Sequence, residues 1–144
     1  MIWLFLALVS LGGQDRGQSW EVIHETAEVW VGHDASRYGP RVTIRNGWFV
    51  VAERAPEGRE AFSVMRISFD CATPRFNVTE KWRYDVDGRV FDYAKSRDTF
   101  PVSPNTAEAA MHTRVCADPP IPSSTAPKSY PFPAALAEGA RAAR

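Results

Sequence analysis

The 144-residue sequence is poor in cysteine and lysine and carries no surplus of either charge. Seventeen basic and seventeen acidic side chains cancel. That balance removes any general pull toward DNA, RNA or anionic lipid, so nucleic acid is not expected as a partner. Arg supplies fourteen of the seventeen cations, a bias that genomic base composition explains without a ligand. Beyond residue 11 no stretch is apolar enough to cross a bilayer, which needs about 20 residues as a helix. Only three histidines are present, His24, His33 and His112, and no pair has a metal-ligand spacing such as H-x-x-x-H. No G-x-S-x-G elbow, P-loop or dinucleotide fingerprint occurs. No motif argues for an enzyme, so the chain is read as non-catalytic, with no catalytic residue, cofactor or metal site assigned.

The two ends differ from the middle. Met1-to-Leu11 is uncharged and apolar, and Gly12-Gly13-Gln14-Asp15 ends it abruptly. Its length suits the hydrophobic region of a secretory signal peptide, assigned to residues 1–13. The other end, residues 117–144, holds six of the eleven prolines and is rich in Ala and Ser. That composition buries too little apolar surface to offset ordering entropy, so it is expected to be a disordered tail. Within it, residues 134–144 can form a short, frayed helix. Residues 14–116 remain as one domain.

That domain reads as mainly β, an α+β chain with one helix. Phe76, Val78, Trp82, Tyr84 and Val86 share one parity, and Asn77, Thr79, Lys81, Arg83 and Asp85 share the other. Period two over eleven residues predicts a strand with one buried and one wet face. Asp87-Gly88 then predicts a type I′ turn into Arg89-to-Tyr93. Met65, Ile67, Phe69 and Cys71 oppose Phe62 and Val64 in parity, which suggests a bulge near Val64-Met65. Residues 41–45 and 48–53 flank Asn46-Gly47, a second hairpin signal. Residues 20–24 and 27–32 are shorter strand candidates, and residues 33–40 read as a polar loop. Asn105, with Glu108 three positions on, predicts a capped helix that runs to Cys116.

Cys71 ends a strand and Cys116 ends that helix. An even cysteine count in an exported chain predicts a Cys71–Cys116 disulfide. Asp85, Asp87 and Asp92 lack a calcium-loop spacing and read as a solvated turn. Asn77-Val78-Thr79 matches a glycosylation sequon. The aromatic residues are too many for one small sheet to hide. Trp48 and Phe49 are consecutive in an extended segment, so they point to opposite faces and one is expected to be exposed. With Arg37 and Tyr38 they form the candidate binding set, for a protein or a small hydrophobic ligand. An alternative reading, a haem or small-ligand binder, takes His33 as a loop axial ligand with Tyr38 nearby.

Early Trp20, Phe69-Asp70-Cys71, Tyr84-Asp85-Val86-Asp87-Gly88 and Pro101-Val102-Ser103-Pro104 before the helix to Cys116 occur in an order that resembles the surface-adhesin protein E-like family. The resemblance implies a small antiparallel rolled sheet, of about six strands, covered by a C-terminal helix pinned by the disulfide. It implies export to the periplasm or outer cell surface of a Gram-negative bacterium. It also implies adhesin-like binding of host or envelope proteins, with haem binding and a homodimer as further expectations. Leu11-Gly12-Gly13-Gln14 carries no lipobox cysteine for an anchor.

Overall fold

The computed structural model describes residues 19–37, 42–118 and 128–143. The proposed leader, Tyr38 and the segment 119–127 lie outside them. Eight strands run in chain order as β1 Trp20–Glu25, β2 Val29–Asp34, β3 Ile44–Glu53, β4 Phe62–Asp70, β5 Arg75–Tyr84, β6 Val90–Lys95, β7 Phe100–Pro101 and β8 Ser129–Tyr130. Helix α1 spans Ala107–Cys116 and α2 spans Pro133–Ala142. All pairings are antiparallel, in the order β6-β5-β4-β3-β2-β1-β8, with β7 also on β5. The sheet is thus an open meander, mainly β as expected. It has more strands than expected and a second helix.

The central strands are apolar on both faces, so both faces need a cover. Val31, Phe49, Met65, Ile67 and Phe69 pack under α1 with Met111 and Val115. Trp20, Val22, Trp30, Val50, Ala52, Phe62 and Val64 pack under α2 with Leu136, Ala137 and Ala140. The opposed parities within β4 therefore need no bulge: Phe62 and Val64 face α2, while Met65, Ile67 and Phe69 face α1. The bulge lies in β5 instead. Arg66 pairs with Glu80 and Ile67 with Val78, which leaves Thr79 as the extra residue. It sends Phe76 and Val78 to the α1 side and Trp82 and Tyr84 to the α2 side. Four of the five residues of one parity thus divide between two faces, and the fifth, Val86, lies exposed in the turn beyond β5.

Asn46-Gly47 is not a turn. β3 runs straight through it, with Asn46 opposite Ser68 and Gly47 opposite Ile67. A Cβ on Gly47 would lie 2.8 Å from Val115 Cγ2 and 2.8 Å from Phe49 Cζ. Glycine is there to let α1 approach the sheet. The hairpin at Asp87-Gly88 does form, with Gly88 at φ 77°. Asp87 stays at negative φ, because the turn is held by Asp85, whose carboxylate accepts from Asp87 N and Arg89 N at 3.0 Å each. Two expectations at other boundaries also change. Thr106, not Asn105, caps α1, accepting from Ala109 N at 3.2 Å, while Asn105 takes φ 62° just before it. The segment assigned as a disordered tail carries β8 and α2 as part of the folded unit. An Ala-rich helix of this length is marginal alone, but here three of its side chains are fully buried on the sheet. The folded unit therefore extends past residue 116 to α2.

The two covers are held differently. α1 is joined to the end of β4 by the Cys71–Cys116 disulfide, with Cα atoms 5.5 Å apart. Arg114 on α1 also forms a buried ion pair and hydrogen bond with Glu21 on β1. α2 depends on packing, with Tyr130 against Trp30 at 6.3 Å between ring centroids. Its last carbonyls are held by Arg54, which donates to Ala143 O. Lys128 ties the segment to β1 through Glu25 at 2.7 Å.

The disulfide closes a separation of 45 residues. The chain-entropy model gives it about 4 kcal/mol. Reduction, or joint Cys71→Ser and Cys116→Ser substitution, is expected to lower Tm by roughly 15 °C or more. An unchanged Tm, with two thiols titrating in the native protein, would contradict the assignment.

Candidate functional site

Beyond α2, which buries Val50 of β3 and Phe62 and Val64 of β4, the same face of the sheet continues into β5 and β6, where side chains are only half-buried or exposed. Cross-strand register orders this open face into rungs. Val50, Val64, Trp82 and Tyr93 form one, and Trp48, Arg66, Glu80 and Lys95 form the next. Asn46, Ser68 and Asn77 follow, then Ile44, Asp70 and Arg75. The bulge at Thr79 puts Trp82 on this face, and a second irregularity in the pairing of β5 with β6 skips Phe91 and puts Tyr93 beside it.

The aromatic rings form a row across the rungs. Trp48 and Trp82 stack at 5.5 Å with an interplanar angle of 21°. Tyr93 leans on Trp82 at 5.2 Å. Arg37 covers the outer end, its guanidinium carbon 4.8 Å from the Trp48 ring centroid. Trp48 and Trp82 are half-buried and Tyr93 is 44% exposed. Ring faces meet one another within the row, so edges and polar tips are what it offers outward. Arg66 pairs with Glu80 at 3.2 Å, and Tyr93 donates to Glu80 Oε1 at 2.9 Å. That bond to a carboxylate, after desolvation, pushes the Tyr93 hydroxyl above the usual phenol range.

Sequence reasoning placed Trp48 and Arg37 in one candidate site, and the structure brings them into contact. Phe49 does not join them. It is fully buried beneath α1, as its opposite parity requires. Tyr38 lies outside the described residues. His33 is not in a loop: it is the fifth residue of β2, 1% exposed, with its ring 5.1 Å from Phe49. A haem iron has no access to it there. Asn77 of the sequon already donates to Ser96 O at 3.2 Å and Asp98 O at 2.7 Å. Asp92 pairs with Arg83 at 3.4 Å, and Asp85 is spent on its own turn. Trp82, Tyr93, Arg66, Glu80 and Lys95 were missed as a group. The period-two signal marked β5, but a one-residue bulge leaves no trace in composition.

The other end of the sheet holds a cleft of about 550 Å³ lined by Glu28, Glu53, Glu57 and Glu60 with Arg59 and Arg83. Burial first, then Glu60, Glu28 and Glu57, push the Glu53 carboxyl above its ordinary range. Arg83 answers Glu60 at 2.8 Å. Among the described residues no group of three His, Cys, Asp or Glu side chains is arranged to hold a metal ion. Comparison with protein-family models, curated proteins and solved structures finds no match, so fold and site rest on their own geometry.

His33 makes the fold sensitive to acid. Burial, then the Arg114 charge, push its pKa from 6.5 down to about 3. The unfolded chain therefore binds a proton between those values that the folded chain does not. Stability is full above pH 6.5 and falls by up to about 1.4 kcal/mol per pH unit below it. In His33→Gln this slope is expected to flatten between pH 6.5 and 4.5 in urea titrations. An unaltered slope would place the acid sensitivity elsewhere.

Proposed function

We propose that this chain is a non-catalytic, exported binding domain that engages another protein through its open sheet face, in an adhesin-like role. The observation that carries this reading is the Arg37–Trp48–Trp82–Tyr93 row, which runs outward from the core under α2 and ends at exposed Tyr93. Aromatic and Arg side chains dominate protein-binding hot spots. Export is supported by the apolar leader in the sequence and by the disulfide, a bond that persists in oxidising compartments. No helix among the described residues is long and apolar enough to cross a membrane. The likeness to the surface-adhesin protein E-like family supports a periplasmic or outer-surface site of action and host or envelope proteins as the partners. The haem or small-ligand reading loses support, since His33 is buried and the ring faces of the row are occupied by one another.

A photo-crosslinking residue at Tyr93, compared with one at Thr113 on the exposed side of α1, tests the reading in the producing cell. Adducts with another protein are expected from Tyr93 and not from Thr113. No adduct at Tyr93, or the same adducts from both positions, would overturn it.

A further inference from the structure

The open face ends at an edge. Among the described residues β6 pairs with β5 alone. The edge is short and bounded. Asn77 ties residues 96 and 98 back to β5, and β7 resumes the pairing at Phe76 with Phe100 before Pro101. Val90–Lys95 is the six-residue strand that presents its backbone groups along this edge.

Charge alternates along the rungs that reach it. On the open face the rung reads Arg66, Glu80, Lys95, with Arg66 and Glu80 paired to each other. Lys95 makes no ion pair among the described residues. On the other face the rung reads Arg83, Asp92. Opposite charges across a strand pair are favourable and like charges are not. One more antiparallel strand would therefore set an acid against Lys95 and, three residues later, a base against Asp92. Between them, an apolar residue would meet Tyr93.

A second copy of this chain cannot supply that strand through its own β6. Two identical sheets meeting edge to edge in antiparallel fashion keep the same face up, and paired residues share a face. The numbers of paired residues must then sum to an even total. Lys95 and Asp92 lie on opposite faces and their numbers sum to an odd total, so a second β6 cannot set these charges against each other, and the complementary strand is a different one.

We infer that β6 is a strand-addition site for an extended segment of another protein carrying an acid-x-apolar-base sequence. This rests on the protein-binding reading above and names the form of its ligand. The probes are two ten-residue peptides of identical composition in a Val/Thr background, one with Glu at position 4, Val at 6 and Lys at 7, the other with Glu and Lys exchanged. The full chain is expected to bind the Glu-first peptide about tenfold more tightly, since two cross-strand pairs change sign between the probes. Amide exchange should slow within residues 90–95. The double variant Asp92→Lys, Lys95→Glu should reverse the preference. Equal affinities, no binding of either peptide, an unreversed preference, or protection confined to other residues would each overturn the inference. Adducts from Tyr93 without a peptide preference would discard the edge site and leave the binding face; a preference without adducts would do the opposite.

Discussion

One extra residue in β5 decides which aromatic side chains this protein buries and which it shows. Thr79 has no partner on β4, so the strand on either side of it presents opposite parities to that neighbour. Its hydroxyl fixes the irregularity, donating to Arg66 O at 2.9 Å and accepting from Arg66 Nε at 3.2 Å. Below it, Phe76 and Val78 join the core under α1. Above it, Trp82 and Tyr84 join the side that α2 covers only in part. Without it Trp82 would turn away from Trp48, and the aromatic row would not exist. Arg66 binds the bulge through its backbone and its guanidinium while pairing with Glu80, so the same residue holds the irregularity and stands on the open face.

The two helices divide the remaining work unequally. α1 is fixed by a covalent bond and a buried ion pair, and Gly47 lets it sit close to the sheet. α2 brings small side chains and lies over β2 and β3, where Leu136 meets Gly32 and Val50. Neither helix reaches β6. A sheet apolar on both faces is thus closed at its β1–β3 side and left half open at the other. The open half compensates by stacking its large rings on one another and by pairing Arg66 with Glu80, which keeps it wettable.

Much of the fold was legible in the sequence. Alternation located β4 and β5, the Asp-Gly pair marked the hairpin from β5 into β6, and cysteine count gave the disulfide. The failures share a cause: each local signal was overridden by a contact distant in sequence. Asn46-Gly47 reads as a turn, yet Gly47 serves Val115 on a helix far along the chain. Residues 133–142 look too poor in apolar surface to order stably, yet Leu136, Ala137 and Ala140 are fully buried against the sheet. Parity in residues 76–86 was read correctly and interpreted wrongly, because the bulge interrupts it silently. At the candidate site, consecutive Trp48 and Phe49 were rightly placed on opposite faces. Which of the two is exposed depends on where α1 lies, and residues 41–53 do not encode that.

The central claim is that the bulge delivers Trp82 to an open face beside Trp48. Oxidative footprinting of the native protein, read by mass spectrometry at each aromatic residue, tests it directly. Trp48, Trp82 and Tyr93 are expected to label together, while Trp20 at 2% exposure and Trp30 at 3% stay protected. Protection of Trp82 equal to that of Trp20 would place its ring in a core and contradict the account.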